Sequence, residues 1–146
     1  MNHTPKSSRT SWWDRVCERT YRATTPRLVR EMEQESPREY SELLKDLKAP
    51  LEPAFEREVA RHLDRGGFRA FVPADTLMPA MLQRFGLDES NVAGHSSYPS
   101  LRGNCNACPV AGYCWHAMRR DADADVDACR AFCPNAAAFD RQAAKI

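Results

Sequence analysis

Five of the six cysteines lie in the last third of this 146-residue chain: Cys105, Cys108, Cys114, Cys129 and Cys133. Thiolates bind zinc ions and iron–sulfur clusters, and two cysteines separated by two residues can both reach one metal from a tight turn. Five cysteines within 29 residues are more than packing alone requires. The cysteines therefore predict a metal site.

The first three of these cysteines have the spacing C-x2-C-x5-C, which favours a [4Fe-4S] cluster whose fourth ligand comes from farther along the chain. Cys133 is followed by Pro134, like the cysteine that closes bacterial ferredoxin motifs. The pattern allows Cys114 and Cys133 to project from the start of a helix, where the dipole favours a thiolate. The predicted cluster ligands are Cys105, Cys108, Cys114 and Cys133.

A zinc site is the alternative, because Cys129 and Cys133 are four residues apart and one helical turn brings both sulfurs to one side. Cys114 is then free. The ligands of this alternative site are Cys105, Cys108, Cys129 and Cys133. A third interpretation is a redox dithiol that binds no metal.

The C-x2-C-x5-C run resembles the last three cluster ligands of endonuclease-III-type DNA glycosylases, and it resembles part of the auxiliary-cluster motif of radical enzymes that modify peptides. Both likenesses are local, because the glycosylase pattern has its fourth cysteine upstream and here the next cysteine upstream is Cys17. These likenesses imply the type of cluster and not the activity.

A longer resemblance covers residues 81–139. This segment begins with Met81-Leu82-Gln83-Arg84-Phe85-Gly86-Leu87-Asp88, continues with C-x2-C and Cys114-Trp115, and closes with Phe132-Cys133-Pro134-Asn135-Ala136 before Phe139. The pattern is similar to a family of short bacterial proteins catalogued as a domain of unknown function. The resemblance implies no activity and leaves Cys129 outside the site. The ligand set that it implies is Cys105, Cys108, Cys114 and Cys133.

The charges of the chain are nearly balanced. Lys and Arg number 21 and Asp and Glu number 20, so we expect no nucleic-acid partner. The longest apolar runs have four or five residues, which predicts no transmembrane segment, and the polar stretch 1–9 has no apolar core of a secretory signal. We therefore expect a cytoplasmic protein with reduced or metal-bound cysteines. Three arginines lie near the cysteines in sequence and can offset the negative charge of the site: Arg102, Arg119 and Arg130.

The elements that must position the cysteines are short helices separated by proline and glycine. Thr25-Pro26 predicts a new helix start, and Ser36-Pro37-Arg38-Glu39 has the pattern of a capping box. Gly66-Gly67 and Gly86 predict helix ends, whereas the stretch 87–103 predicts a loop. We predict an all-α fold: a small bundle of five to seven short helices with a C-terminal cysteine-ligated metal site.

Three regions are expected along the chain: a disordered tail at 1–10, an N-terminal helical region at 11–70 and a C-terminal four-cysteine helical domain at 71–146. Only the stretch 68–72 has a strand-like pattern. The helix with Trp12 and Trp13 is basic and could meet a membrane surface or a partner, but packing within the N-terminal region explains the same pattern. The core of that region is predicted at Leu43, Leu44, Leu47, Phe55, Val59 and Leu63.

No catalytic residues are predicted, because the sequence holds no phosphate loop, dinucleotide fingerprint or H-E-x-x-H motif. The sequence therefore favours a small metal-binding protein with a [4Fe-4S] cluster in a structural or electron-transfer role, working with a protein partner. The alternative is a zinc-stapled helical adaptor that binds another protein without catalysis. In either role, metal binding should contribute directly to folding.

Overall fold

The computed structural model describes residues 12–66, 70–120 and 125–146, with side chains from Thr24 onward except that of Arg120. These residues form nine helices and no strand, so the predicted all-α fold is confirmed while the expected number of helices is too low. In chain order the helices are α1 (Trp12–Glu35), α2 (Pro37–Lys45), α3 (Pro53–Asp64), α4 (Pro73–Arg84), α5 (Ser90–Ala93), α6 (Tyr98–Asn106), α7 (Ala111–Arg120), α8 (Val126–Arg130) and α9 (Ala136–Ala143).

Helix α1 is continuous across Pro26, so the predicted new start at Thr25-Pro26 is wrong. A proline inside a helix removes one backbone hydrogen bond and disfavours the preceding turn. Thr25 and Val29, on either side of Pro26, are buried, and α1 packs against α2 and α3. Tertiary packing therefore maintains a helix that the local sequence disfavours.

Prolines begin three of the helices, because the missing N–H costs nothing in the first turn. Ser36 precedes α2 as predicted, but its side chain makes no capping hydrogen bond, so the predicted capping box is wrong. The backbone N–H of Ser36 instead donates to the Met32 carbonyl at 2.9 Å, and Ser36 thereby also finishes α1. At α3 the Glu52 carboxylate accepts a hydrogen bond from the Phe55 N–H at 2.9 Å. The three prolines in first turns are Pro37, Pro53 and Pro73.

Glycines follow α3 and α4 as predicted. Gly66 has a φ angle of 75° and Gly86 one of 74°, the left-handed conformation that lets the chain leave a helix. Gly67 and the first two residues of the strand-like stretch 68–72 lie outside the described residues, and residues 70–72 form no strand.

The predicted loop at 87–103 is wrong, because α5 and most of α6 occupy this stretch. Pro99 lies in the first turn of α6, where a helix accepts proline, and Gly103 lies within the same helix. Val92 and Leu101 are buried and fix the two helices to the core. The prolines and glycines that predicted a loop are compatible with helix once this apolar anchoring is present.

One hydrophobic cluster includes residues of both the 11–70 and the 71–146 regions. Four of the six predicted core residues are buried, while Leu43 and Leu47 are partly buried and pack against the cluster. The side chains of Trp12, Trp13 and Cys17, like the predicted tail at 1–10, lie outside the described part. No described helix combines the length and apolar character that a membrane crossing requires. The four buried residues are Leu44, Phe55, Val59 and Leu63.

Candidate metal centre

Four cysteine side chains line one pocket, named here the sulfur pocket. They come from three places in the fold: α6 with the turn that follows it, α7, and the segment between α8 and α9. Leu77, Met78 and Met81 of α4 line the pocket from another side, so its surroundings are largely apolar. The four cysteines are Cys105, Cys108, Cys114 and Cys133.

The pair Cys105 and Cys108 belongs to the turn that ends α6. Cys105 lies in the last turn of the helix, and the Cys108 N–H donates to the Cys105 carbonyl at 3.2 Å. Cys114 is the fourth residue of α7, and its own N–H donates to the Val110 carbonyl at 2.9 Å within the helical ladder. Helix ends therefore direct these three side chains into the sulfur pocket.

Cys133 lies in the turn before α9. The backbone N–H groups of Asn135 and Ala136 hydrogen-bond its sulfur, and Ala136 is the first residue of α9. Amide hydrogen bonds to a sulfur favour its thiolate form and tune a metal bound to it. This part of the site provides the helix-start environment that the sequence predicts for Cys133.

Asn135 fixes the Cys133 turn to α6. Its side chain is only 3% exposed, and its Nδ2 donates to the Leu101 carbonyl at 2.8 Å. Its Oδ1 accepts a hydrogen bond from Asn104 Nδ2 at 3.0 Å. Because α6 also carries Cys105, this amide pair sets the position of one cysteine relative to another. Sequence reasoning missed this role, although Asn135 belongs to the Cys-Pro-Asn-Ala run that carries the family resemblance.

In the absence of a cation, burial disfavours the anionic form of three thiols of the sulfur pocket, those of Cys105, Cys114 and Cys133. Burial raises the pKa of Cys105 to about 12, with the neighbouring Cys108 and Cys133 acting in the same direction. Burial also raises the pKa of Cys133 to about 11, against the amide hydrogen bonds that favour its thiolate, and holds the pKa of Cys114 well above its ordinary value. A cationic metal or cluster would reverse this preference by pairing with the thiolates.

Of the three arginines expected to offset the site charge, only Arg102 acts on the pocket. Its charge lowers the pKa of Cys105, opposing the larger effect of burial, and its guanidinium also pairs with Asp75 at 2.6 Å. Arg119 donates to the backbone carbonyls of Asp46 and Ala49, away from the pocket. Arg130 pairs with Asp127 and Asp140. Proximity in sequence did not indicate on which side of a helix each arginine lies.

Cys129 is buried in α8 and is not among the described residues that line the sulfur pocket. It lies one turn before Cys133, whose N–H donates to the Cys129 carbonyl at 3.0 Å. Burial is the main cause of the raised pKa values of Cys114 and Cys133, and a charge on Cys129 would raise both a little further. Cys129 is therefore close enough to the site to interact with two of its thiols. The four cysteines of the cluster interpretation thus share a pocket, with Cys129 beside it.

Within the described residues, no group of three or more His, Cys, Asp or Glu side chains is arranged to hold one metal ion. The four cysteines share the lining of one pocket without forming such a group. His116, a potential ligand only two residues after Cys114, contacts Glu56 on α3 instead, with 3.0 Å between His116 Nδ1 and Glu56 Oε1.

Helix α7, which carries Cys114, is held from its other side by α3; this contact is named here the α3–α7 interface. A Cβ atom added to Gly112 would lie 1.7 Å from the Ala60 carbonyl oxygen, so the two backbones touch. Asp64 at the end of α3 accepts hydrogen bonds from the N–H groups of Gly112 at 2.7 Å and Tyr113 at 3.2 Å. A glycine inside a helical pattern signals such a close approach, and it was the one sequence signal for this contact.

Trp115 and Arg119 extend the attachment of α7 toward α2. Trp115 is fully buried, and its indole N–H donates to the Leu44 carbonyl at 2.9 Å. The Arg119 guanidinium lies 4.8 Å from the centroid of the Trp115 ring and donates to the carbonyls of Asp46 and Ala49. The position of Cys114 is therefore determined by contacts with the N-terminal helices.

Comparison of this chain with protein-family models, with curated proteins and with solved structures finds no match.

Proposed function

We propose that this chain is a small metal-binding protein that holds a [4Fe-4S] cluster through the four cysteines of the sulfur pocket. The observation that carries the proposal is that four cysteines from three separate places in the fold line one pocket. Thiolates are the usual ligands of such clusters. Apolar residues of α4 would limit the access of water to the bound group. The proposed ligands are Cys105, Cys108, Cys114 and Cys133.

The spacing of the cysteines favours a cluster over a single ion. The C-x2-C-x5-C run of Cys105, Cys108 and Cys114, with Cys133-Pro134 farther along the chain, is typical of [4Fe-4S] ligands. The amides of Asn135 and Ala136 that hydrogen-bond the Cys133 sulfur also suit a cluster, because such bonds adjust its reduction potential.

Two roles are compatible with this site. A cluster would tie α6, α7 and the segment before α9 together, which is a structural role. Cys105, Cys108 and Cys133 are only half-buried, so a cluster there would lie near the surface and could exchange single electrons with a protein partner. The proposal therefore includes a partner and no catalytic residues.

Anaerobic purification followed by analysis of iron and acid-labile sulfide tests the proposal. We expect about four irons and four sulfides per chain, with a brown colour and absorption near roughly 400 nm. Single replacement of each pocket cysteine by serine should lower the bound iron. Cys129→Ser is the matched control, since it removes a buried cysteine that is close to the pocket but does not line it, and we expect it to retain the cluster.

The opposite pattern identifies the alternative function. If Cys129→Ser loses the metal, Cys114→Ser keeps it and the metal is zinc, the chain is a zinc-stapled adaptor and the cluster proposal is wrong. Thiols that bind no metal under anaerobic conditions would also contradict it. Reversible reduction of the cluster without loss of iron would distinguish electron transfer from a purely structural role.

A further inference from the structure

A groove runs between α1 and α3, on elements that hold none of the five cysteines of the candidate metal centre. It consists of two adjoining pockets that share Glu58 and Arg61. Four exposed arginines line it, and we name it the arginine groove. The arginines are Arg30, Arg57, Arg61 and Arg65.

Positive charge is concentrated in this groove although the whole chain carries a net charge of only +1. Arg57, Arg61 and Arg65 follow one another at four-residue steps, a spacing at which like charges on a helix repel. Among the described residues, Glu58 is the one carboxylate in the lining, and it pairs with Arg61 at 3.4 Å. Within the described residues, no ion pair joins the other three arginines. Four arginines therefore line the groove against one lining carboxylate, and the buried Glu33 of α1 is also close enough to act on His62.

The two helices direct their arginines toward a common region at the α1 side of the groove. Burial lowers the pKa of His62, and the charges of Arg65 from α3 and Arg30 from α1 lower it further, against the opposing effects of Glu33 and Glu58. Arg30 and Arg65 line the same one of the two pockets, and His62 lies in that pocket with them. Arginines from two helices thus face one space and do not point separately into solvent.

The shape and charge of the groove favour one class of anion. The Arg57–Arg65 stripe extends about 12 Å along the helix axis. An extended acidic peptide places its same-side carboxylates about 6.8 Å apart and would offer about two charges over this length. A chain of phosphoryl groups offers more charge over a shorter length, and its oxygens match the paired N–H donors of guanidinium groups.

We propose that the arginine groove binds a small ligand that carries several phosphoryl groups. No Phe, Tyr or Trp side chain lines the groove within the described residues, so it offers no platform on which the bases of a nucleic acid strand could stack. Recognition rests on the phosphoryl groups themselves. This proposal is independent of the cluster, because none of its residues lines the sulfur pocket.

Titration calorimetry of the full chain with tripolyphosphate at physiological salt tests the proposal, with inorganic phosphate as the shorter probe. We expect tripolyphosphate to bind more tightly than inorganic phosphate. The double variant Arg61→Gln/Arg65→Gln should weaken tripolyphosphate binding by about tenfold or more, because it removes two charge-assisted contacts. The matched control is Arg38→Gln/Arg141→Gln, which removes two exposed arginines outside the groove and should change the affinity by less than about twofold.

Three outcomes would overturn the proposal. Equal weakening in the control variant would mean that net charge alone attracts the anion. Binding of poly-L-glutamate with an affinity equal to or above that of tripolyphosphate would identify a docking surface for an acidic protein. No measurable binding of tripolyphosphate at concentrations up to about 1 mM would show that the groove is only a solvated surface.

Discussion

The two sides of α7 are stabilised in different ways. At the α3–α7 interface, Gly112 brings two helix backbones into contact and Trp115 is buried with its N–H bonded to the Leu44 carbonyl. On the opposite side, Cys114 faces a pocket that it shares with three other cysteines. The first side is complete with protein atoms alone, whereas the second leaves a pocket among sulfur atoms.

Under the proposed function, this difference would divide the stability of the molecule between packing and a bound group. Close packing and satisfied hydrogen bonds stabilise the interface whether or not a metal is present. The sulfur pocket brings together thiols whose burial and mutual repulsion disfavour charge, so a bound cation would contribute its binding free energy to folding there. We therefore expect metal loss to affect one side of α7 and not the other.

Removal of the metal should give the largest effect. From the sequence alone, we expect amide exchange in the metal-free protein to be faster over residues 104–139. The contacts of α7 restrict the expected region of faster exchange to two stretches, the end of α6 with its turn and residues 129–139. The second half of α7 should stay protected because Trp115 and Arg119 hold it to α2, and α3 should stay protected because it packs against α7 and α1. Hydrogen exchange measured with and without metal tests this. Equal protection of both stretches in the two forms would show that the site is no structural clamp.

Leu44→Asp should destabilise the packed side most among single substitutions. Leu44 is fully buried at the contact with α7, and a carboxylate there would be unpaired, so the free energy of unfolding should fall by more than about 4 kcal/mol. Leu28→Asp on α1 is the control, since Leu28 is 43% exposed and its replacement should cost no more than about 1–2 kcal/mol through helix propensity and partial burial. Urea denaturation measures both. Similar losses for the two variants would contradict the assignment of this side to the core.

Gly112→Ala should separate α3 from α7. The new methyl group would overlap the Ala60 carbonyl, and relieving this overlap should cost about 3 kcal/mol or more. Gly103→Ala is a matched control within α6, because nothing lies within 4 Å of its added Cβ, and it should raise stability by up to about 1 kcal/mol. Thermal denaturation should therefore shift in opposite directions. A neutral Gly112→Ala variant would mean that the helices do not touch.

Asn135→Ala tests the sulfur side with a smaller change. It removes the amide that bonds the buried Leu101 carbonyl and Asn104, which should cost about 1–3 kcal/mol and hasten the loss of bound metal. Gln142→Ala on α9 is the control, because this half-buried side chain makes no hydrogen bond among the described residues. Metal release to a chelator and urea denaturation report the two effects. Unchanged metal release would remove Asn135 from the site.

Much of the local structure was predictable because it follows from short-range rules. Gly66 and Gly86 end helices through their left-handed conformations, and the spacing of Leu44, Val59 and Leu63 predicts buried faces correctly. The same local rules fail across residues 87–103, where Pro99 stands in the first turn of a helix. Proline and glycine patterns indicate which conformations are allowed, and burial of the flanking apolar residues decides among them.

The sequence by itself determined the helical fold and which residue types could form a metal site, because periodicity, helix ends and cysteine spacing are local properties. Only the tertiary structure decided that Cys114 shares a pocket with Cys105, Cys108 and Cys133 while Cys129 lies beside it. It also decided that Asn135 joins the Cys133 turn to α6 through two side-chain hydrogen bonds. These relations depend on how distant helices cross, and a crossing is determined by contacts such as the one at Gly112, which no local pattern specifies.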